Sequence, residues 1–144
     1  MQVKCAFNSQ ERYELTLGTT PGFVELVRQE IPHCPLVLLP DRKSISFQSD
    51  TDYHVNFSCH LTYDTPELNF SICYGIVSQY QPDKYFPLPE LFQVQHTSGS
   101  RPTTLEIRKQ VSIPHGTILR LAINVSTNVS GNIHAENFLL VFQQ

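Results

Sequence analysis

The fold is decided by a stretch near the middle of the chain, Tyr53-His54-Val55-Asn56-Phe57-Ser58-Cys59-His60-Leu61-Thr62-Tyr63. Its odd-numbered positions are apolar or aromatic, and its even-numbered positions are polar. Successive side chains of a β-strand point to opposite faces, so this alternation predicts a long strand with one buried face. The odd-numbered face should pack in the core, and the even-numbered face should look outward.

A second alternating run follows along the chain. Phe70, Ile72, Tyr74 and Ile76 share one face of it, and small or polar residues share the other. Residues 64–67 lie between the two runs and read Asp-Thr-Pro-Glu, which is turn chemistry. We therefore expect the two runs to form a hairpin.

The C-terminal third also reads as strands. Apolar alternation and turn residues predict strands over 105–113, 118–125 and 135–142, with a turn at 114–116 and a polar loop at 126–131. The last of these strands is so apolar that we expect it to be central and buried and not a dangling edge.

Two other regions are interrupted by proline. Thr20-Pro21 favours either a short helix, with Thr20 as its cap and Phe23, Leu26 and Val27 on one side, or an irregular strand. Residues 78–89 hold three prolines, which exclude a central strand. That segment is predicted to be a long connection that displays three aromatic side chains.

About eight short strands with turns between them predict an all-β fold, an antiparallel two-sheet jelly-roll sandwich with room for one short N-terminal helix. The 144 residues fit one domain over 1–144, and neither an internal repeat nor a composition change marks a boundary.

Composition limits the classes of partner. The net charge is −3, and the chain shows none of the basic patches that bind phosphates, so nucleic-acid binding is not expected. Charged residues make up 16% of the chain, against about 25% in an average soluble protein. Either a partner or glycans cover part of the surface, or Ser, Thr, Asn and Gln take the place of the charges.

The chain contains neither an apolar run of about 20 residues, as a membrane span requires, nor an N-terminal signal sequence. We therefore expect either an intracellular protein or a piece of a longer secreted or anchored one. Four of the seven asparagines lie in N-x-S/T sequons, at Asn56, Asn69, Asn124 and Asn128. This excess favours the secretory pathway, although a Ser- and Thr-rich sequence also generates sequons by chance.

The four cysteines form no CxxC pair, which argues against zinc and thioredoxin-like sites. Cys59 and Cys73 have opposite parity on their predicted strands, so they should not bond to each other, and Cys59 should be a buried thiol. Cys5 and Cys34 are the candidate disulfide.

Catalytic patterns are missing from the sequence. It has no G-x-S-x-G elbow, no Gly-rich phosphate loop and no H-E-x-x-H. His54 and His60 share the polar face of the first strand, but a metal site would need a third ligand, and two solvated or interface histidines are the simpler interpretation. We expect no enzymatic activity, no cofactor and no metal, and a pH-sensitive assembly if these histidines lie at a subunit interface.

Residues 44–57, with a short strand, a tight turn and an aromatic at the start of a long strand, resemble a signature of tumour necrosis factor (TNF) ligands. Residues 111–125, with Gly116 in the turn, and the closing apolar strand 137–142 are similar to later parts of that family. The resemblance covers about residues 44 to 142. Viral attachment heads and C1q-like domains are jelly rolls of the same kind.

The resemblance implies a homotrimer in which one sheet faces the three-fold axis and receptors bind between neighbouring subunits. The oligomer interface would then include His54, Asn56, Ser58 and His60. This face is more polar than the aromatic centre of the family, which predicts a wetter or weaker trimer or a different assembly. A glycan on Asn56 would obstruct the face, so glycosylation is expected at Asn69, Asn124 and Asn128 instead.

The receptor-contacting loop of the family corresponds to residues 78–89. Receptor contact is therefore expected from Tyr80, Gln81, Lys84, Tyr85 and Phe86. The resemblance implies a glycoprotein cytokine-like ligand that clusters a cell-surface receptor, as a secreted form or as the ectodomain of a type II membrane protein whose membrane segment lies outside this chain. The alternative is a viral or phage attachment or capsid domain that binds a receptor or a glycan.

Overall fold

The structure is a computed structural model that describes residues 4–9, 13–14, 22–63, 70–97, 103–125 and 133–144, with only the backbone described at 13, 14, 63 and 97. Over these ranges the regular elements are strands, and none is a helix. The strands are β1 (Lys4–Asn8), β2 (Tyr13–Glu14), β3 (Val27–Arg28), β4 (Val37–Leu38), β5 (Ile45–Ser46), β6 (Thr51–Tyr63), β7 (Phe70–Gln81), β8 (Lys84–Thr97), β9 (Thr103–Ile113), β10 (Ile118–Val125) and β11 (Ile133–Gln143).

The strands form two sheets. The first, here called sheet A, has the order β3-β1-β11-β6-β9, with β2 paired to β11 beside this path. The second, sheet B, has the order β4-β5-β10-β7-β8. All the pairings between these strands are antiparallel. The predicted all-β, antiparallel two-sheet jelly roll is confirmed.

The core lies between the sheets and follows the predicted alternation. Tyr53, Val55, Phe57, Cys59 and Leu61, the odd-numbered face of β6, are each at most 1% exposed. The inward face of β7 is buried in the same way, as expected. Burial of such side chains contributes about 1.5–3 kcal/mol each, so the two facing patterns are sufficient to hold the sheets together.

Aromatic rings close one end of the core. The ring of Phe142 on β11 contacts those of Phe7, Phe47 and Tyr53 in edge-to-face geometry, with centroids 5.3–6.2 Å apart. Phe142 reaches Phe7 and Tyr53 because β11 lies between β1 and β6 in sheet A, and it also contacts Phe47, which follows β5 of sheet B. The central position predicted for the last strand is confirmed, and its core face is buried, whereas Leu139 on its outer face is exposed.

The hairpin predicted between the two central runs is wrong. β6 pairs with β11 and β9 in sheet A, whereas β7 pairs with β10 and β8 in sheet B. Both runs have one apolar face, and that pattern is satisfied equally well by adjacent strands or by strands that face each other across the core. The turn-like residues 64–69 lie outside the described residues.

The long connection predicted over residues 78–89 is also wrong. β7 and β8 form a hairpin in which Gln79 pairs with Tyr85 and Gln81 pairs with Lys84. Prolines 87 and 89 are within β8, which is tolerated because β8 is the edge strand of sheet B. The prolines therefore avoid a central strand, as expected, but Ser78 belongs to the central strand β7 and pairs with both Leu119 and Phe86.

The N-terminal third follows the strand alternative and not the helical one. Phe23 forms a β-bridge with Ala122, and Val27 pairs with Asn8 in β3. Residues 20 and 21, where the helix was expected to begin, and the predicted polar loop at 126–131 lie outside the described residues. The predicted Cys5–Cys34 disulfide is present, with Cα atoms 5.2 Å apart, and it ties residues 31–36 to sheet A.

Candidate interaction surfaces

The outer face of sheet A carries the four residues predicted for the oligomer interface. His54, Asn56 and His60 are exposed and Ser58 is half-buried, all on the even-numbered side of β6. β6 has β11 on one side and β9 on the other, so it is an interior strand of sheet A. These side chains therefore lie on the outer face of an interior strand and not at the edge of the sheet. This surface, with the outward residues of β9 and β11 beside it, is called the sheet A face below.

A bulge in β11 adds apolar side chains to the sheet A face. The pairing of β11 with β6 shifts register between Glu136 and Leu139, and Asn137 at the shift has a positive φ of 53°. A bulge inserts one extra residue and reverses the parity of everything after it. Leu139 and Val141 therefore point outward, 37% and 8% exposed.

Sequence alternation missed this apolar patch. Counted from Ala135, strict period two would have turned Leu139 and Val141 into the core. In the structure they lie opposite Ser58 and Asn56 of β6. The sequence signal that could have revealed this patch is the apolar run over residues 138–142, in which the odd-numbered and the even-numbered positions are both hydrophobic.

A groove crosses the sheet A face at this patch. It has a volume of about 350 Å³, and its lining includes Asn56, Ser58, Leu139 and Val141. Phe57, Glu106 and Arg108 complete the lining, and the last two form an ion pair in which the Arg108 Nε lies 2.6 Å from the Glu106 Oε1. A small apolar centre with a polar and charged rim is the usual anatomy of a protein–protein contact.

The two histidines occupy opposite ends of this face. The His60 ring Nδ1 lies 2.9 Å from the hydroxyl of Thr104 on β9, and Glu136 of β11 is its register partner on the other side. His54 lies between Gln110 and Gln143 in register. The face does not bring the two rings together, so they do not form a shared site.

The β7–β8 hairpin carries the five residues predicted to contact a receptor, but it divides the aromatic ones between its two faces. Tyr80 and Phe86 share one face, with ring centroids 5.8 Å apart, and they are 56% and 44% exposed. Tyr85, paired with Gln79, lies on the other face and is only half-exposed. Gln81 and Lys84 are exposed at the tip.

The Tyr85 face of the hairpin packs against a cluster around Arg120 of β10. The Arg120 Cζ lies 4.4 Å from the Tyr85 ring centroid and 4.7 Å from that of Phe23. The two rings are 5.0 Å apart, so the three groups form a compact triangle. The guanidinium also donates to Asp41 Oδ2 and Ser44 Oγ, each at 2.9 Å. We call this group of five side chains the Arg120 cluster.

Asp41 is held as a carboxylate in this cluster. Partial burial by itself raises its pKa, but the hydrogen bonds from the Ser44 hydroxyl, from the backbone N–H groups of Lys43 and Ser44 and from Arg120 outweigh it. Together they lower the pKa of Asp41 from 3.8 to about 2. The ion pair with Arg120 is therefore complete at physiological pH.

Asp41→Asn should lower the free energy of unfolding by about 1 kcal/mol at neutral pH, because Asp41 is partly solvated and its contribution is screened. A lowered folded-state pKa stabilises the protein above the unfolded-state pKa, and this contribution is lost as the pH falls through the folded-state value. The difference between the variant and the original chain should therefore shrink below pH 4 and vanish only below pH 2. Urea unfolding at several pH values measures it, with Asp83→Asn on the exposed hairpin turn as the control. A difference that is as large at pH 2 as at pH 7 would contradict this role.

The unpaired cysteines differ in their surroundings. Cys59 is buried, and its burial raises the pKa of the thiol to about 12, so it remains a protonated, inert core residue as the sequence suggested. Cys73 is half-buried on the outward face of β7, where it pairs with Asn124 and Val94. The predicted absence of a Cys59–Cys73 bond is consistent with their positions in different sheets.

Two sequons can be placed. Asn56 is exposed on the sheet A face. Asn124 is half-buried on β10, where its Oδ1 accepts a hydrogen bond from the backbone N–H of Gly22 at 2.8 Å. Asn69 and Asn128 lie outside the described residues.

The described residues form neither a metal site nor a membrane-spanning helix. Among the residues that the structure describes, no three His, Cys, Asp or Glu side chains are grouped so that they could hold a metal ion. Over the same ranges, no helix has the length and apolar character required to cross a lipid bilayer.

By sequence, no family model matches the chain, and no curated protein matches it significantly. Solved structures do match in fold. Murine APRIL at pH 5.0 superposes with a TM-score of 0.64 at 11% identity, covering 100% of this chain and 99% of that one. Eiger TNF from S. frugiperda gives a TM-score of 0.63 at 10% identity, covering 99% and 92%. A second murine APRIL structure, at pH 8.5, gives 0.58 at 12% identity, covering 100% of this chain and 99% of that one. The similarity extends over the whole chain, and the fold is a TNF-like jelly roll.

Proposed function

We propose that this chain is an extracellular, cytokine-like ligand domain that assembles as a homotrimer and clusters a cell-surface receptor of the TNF-receptor type. The observation that carries the proposal is the whole-chain likeness to TNF-type structures, combined with the apolar patch of Leu139 and Val141 in the middle of the sheet A face. The proposal treats residues 1–144 as one domain that acts by binding and not by catalysis.

The disulfide supports an extracellular location. Cys5 is 1% exposed in β1, and its bond to Cys34 closes a loop with a sequence separation of 29. Structural disulfides form and persist in oxidising compartments and are rare in the reducing cytosol. Secretion, either as a free domain or as the outer part of a type II membrane protein, fits this chemistry.

The sheet A face supports assembly with further copies of the chain. It presents Leu139 and Val141 beside Asn56 and Ser58, with Glu106 and Arg108 at the rim. Three such faces around an axis would remove the apolar patch from water and leave the charged rim solvated. A glycan on Asn56 would prevent this packing, so the proposal requires Asn56 to be unmodified.

Leu139→Asp should convert the trimer to monomers at micromolar concentration, because three carboxylates would be buried together near the axis without partners. Light scattering should give three times the 16.4 kDa chain mass for the original protein and a single chain mass for the variant. Val94→Asp is the matched control, since Val94 is an aliphatic residue that is 60% exposed on sheet B, and it should remain trimeric. A monomeric original protein would contradict the proposed assembly.

Tyr80→Ala should weaken receptor binding at least about tenfold, because exposed aromatic side chains are the usual anchors of an interface. The measurement is surface plasmon resonance against a panel of immobilised TNF-receptor-type ectodomains. Val94→Ala, which removes an exposed apolar side chain elsewhere on sheet B, is the control and should bind normally. Unchanged affinity of the Tyr80 variant would remove Tyr80 from the contact surface, and no binding to any ectodomain would contradict the proposed receptor class.

A further inference from the structure

The β7–β8 hairpin extends past the rest of sheet B at its tip. The last pair between β10 and β7 towards this end is Leu119 with Ser78, whereas the hairpin pairs continue to Gln81 and Lys84. Tyr80 lies in this extension, where β10 no longer pairs with β7. A two-stranded ribbon in water is marginally stable without something packed on one face. The orientation of Tyr80 and Phe86 therefore requires an anchor elsewhere on the hairpin.

The anchor that the structure offers is the Arg120 cluster, through Tyr85. Tyr85 is on the hairpin face opposite the Tyr80 and Phe86 rings. Although Tyr85 was predicted to contact a receptor, its ring packs against the rest of sheet B. The ring lies against the guanidinium of Arg120 and the ring of Phe23. Cation–π contacts of this kind are strong enough to decide whether a marginal ribbon is ordered.

Arg120 is itself held from the opposite side. Its Nη2 is paired with Asp41, its Nε donates to the 2% exposed Ser44, and Ser44 in turn donates to Asp41 at 2.7 Å. Backbone N–H groups of Lys43 and Ser44 fix the carboxylate, at 2.8 and 2.9 Å. A planar guanidinium held at two nitrogens has a set orientation, so the Tyr85 ring meets a fixed surface.

We propose that Arg120 is a positioning residue for receptor contact: through Tyr85 it holds the β7–β8 hairpin so that the Tyr80 and Phe86 rings are presented together on the opposite face. This inference rests on the proposed function for the meaning of the contact, but the arrangement itself is independent of any receptor. Under this proposal Tyr85, which was predicted to contact the receptor, instead supports the hairpin that presents Tyr80 and Phe86.

Hydrogen–deuterium exchange read by mass spectrometry tests the arrangement without a receptor. Arg120→Met should speed exchange of the amides in residues 79–86 about tenfold, because local opening is facilitated when packing on one hairpin face is lost. Peptides from the core part of β6 should exchange as before. Arg120→Lys, which keeps the charge but not the planar fork, should restore part of the protection.

A second pair of variants isolates the ring from the ion pair. Tyr85→Leu should speed exchange in residues 79–86 as Arg120→Met does, although Asp41 keeps its partner, whereas Tyr85→Phe should keep the protection. Arg28→Met is the control, because Arg28 is far along the chain from the hairpin and its Nη2 donates a hydrogen bond to the Cys34 carbonyl at 3.1 Å.

The results of these experiments distinguish the positioning role of Arg120 from a general loss of stability and from the proposed function. Unchanged exchange in residues 79–86 after Arg120→Met, or faster exchange spread equally over the hairpin and β6, would overturn the positioning role. Since no receptor is present, absence of receptor binding in the earlier panel would refute the proposed function and leave this result standing. If the original protein binds a receptor of the panel but Arg120→Met leaves hydrogen exchange in residues 79–86 unaltered, the positioning role of Arg120 is refuted and the proposed function stands.

Discussion

Replacing Gly75 with alanine should lower the free energy of unfolding by roughly 3–5 kcal/mol, among the largest effects of any single substitution. Gly75 has a φ of 147°, which residues with a side chain rarely adopt. A Cβ at this position would overlap the carbonyl oxygen of Leu91 and lie 2.7 Å from the Cα of Phe92. Both obstacles are backbone atoms, so a side-chain rotation cannot relieve the overlap.

The close approach at Gly75 arises from an irregular stretch of β8. Gly75 pairs with Phe92 and Val77 pairs with Pro87, so residues 88–91 of β8 face Ile76 alone. The extra residues fold the β8 backbone over β7, and Leu91 turns into the core, where it is 0% exposed. Alanine at position 75 would force this bulge away from the sheet and would also move the start of the β7–β8 hairpin.

Gly116→Ala is the matched control for this prediction. Gly116 also has a positive φ, 84°, but nothing lies within 4 Å of an added Cβ. Its alanine variant should therefore cost only the conformational strain, about 1 kcal/mol. Urea unfolding followed by circular dichroism compares the two variants. Equal losses would show that backbone conformation, and not the overlap with Leu91, decides the effect.

Reduction of the Cys5–Cys34 bond should lower the free energy of unfolding by about 3.5 kcal/mol, the loop-closure value for a separation of 29 residues. The melting temperature should fall by roughly 10 °C in a chain of this size. The physical reason is that the bond restricts the unfolded chain, while in the folded state it holds residues 31–36 against β1. Thermal unfolding of the oxidised and reduced protein measures the difference.

The free thiols require a control in the same experiment. Cys73→Ala removes the half-exposed thiol that could exchange with the disulfide, and it should change stability by less than about 0.5 kcal/mol. Cys59 can remain, since burial keeps its thiol protonated. Equal melting temperatures of the oxidised and reduced forms, or four free thiols by mass spectrometry of the oxidised protein, would contradict a stabilising bond.

The strands themselves could be read from local patterns. The β6 alternation placed Tyr53 and Leu61 in the core and His54 and His60 outside, as the structure has them. The strand over 118–125 was predicted with the bounds of β10. These features depend on side-chain parity and turn residues within a few positions, and that information is contained in the order of residues.

The candidate surfaces could be predicted only in part. The even-numbered residues of β6 were expected on an outer face and lie there, but the apolar patch of Leu139 and Val141 beside them was not foreseen. Likewise, the five residues predicted for receptor contact do lie on one hairpin, yet its two faces separate Tyr85 from Tyr80 and Phe86. The first miss follows from the bulge in β11. The second follows from the prediction of a loop where β8 is a strand, in which the consecutive residues Tyr85 and Phe86 point to opposite faces.

The sequence by itself therefore determined that this protein is a two-sheet β-sandwich, which residues form its core and that Cys5 and Cys34 were the candidate pair. Only the tertiary structure decided that β6 and β7 lie in different sheets, that the bulge at Asn137 turns Leu139 outward, and that Arg120 holds Tyr85. The physical reason is that parity is a local property, whereas strand partners, bulges and cation–π contacts depend on backbone and side chains that are distant along the chain. Period-two alternation identifies a strand, but it does not identify the neighbour with which that strand pairs.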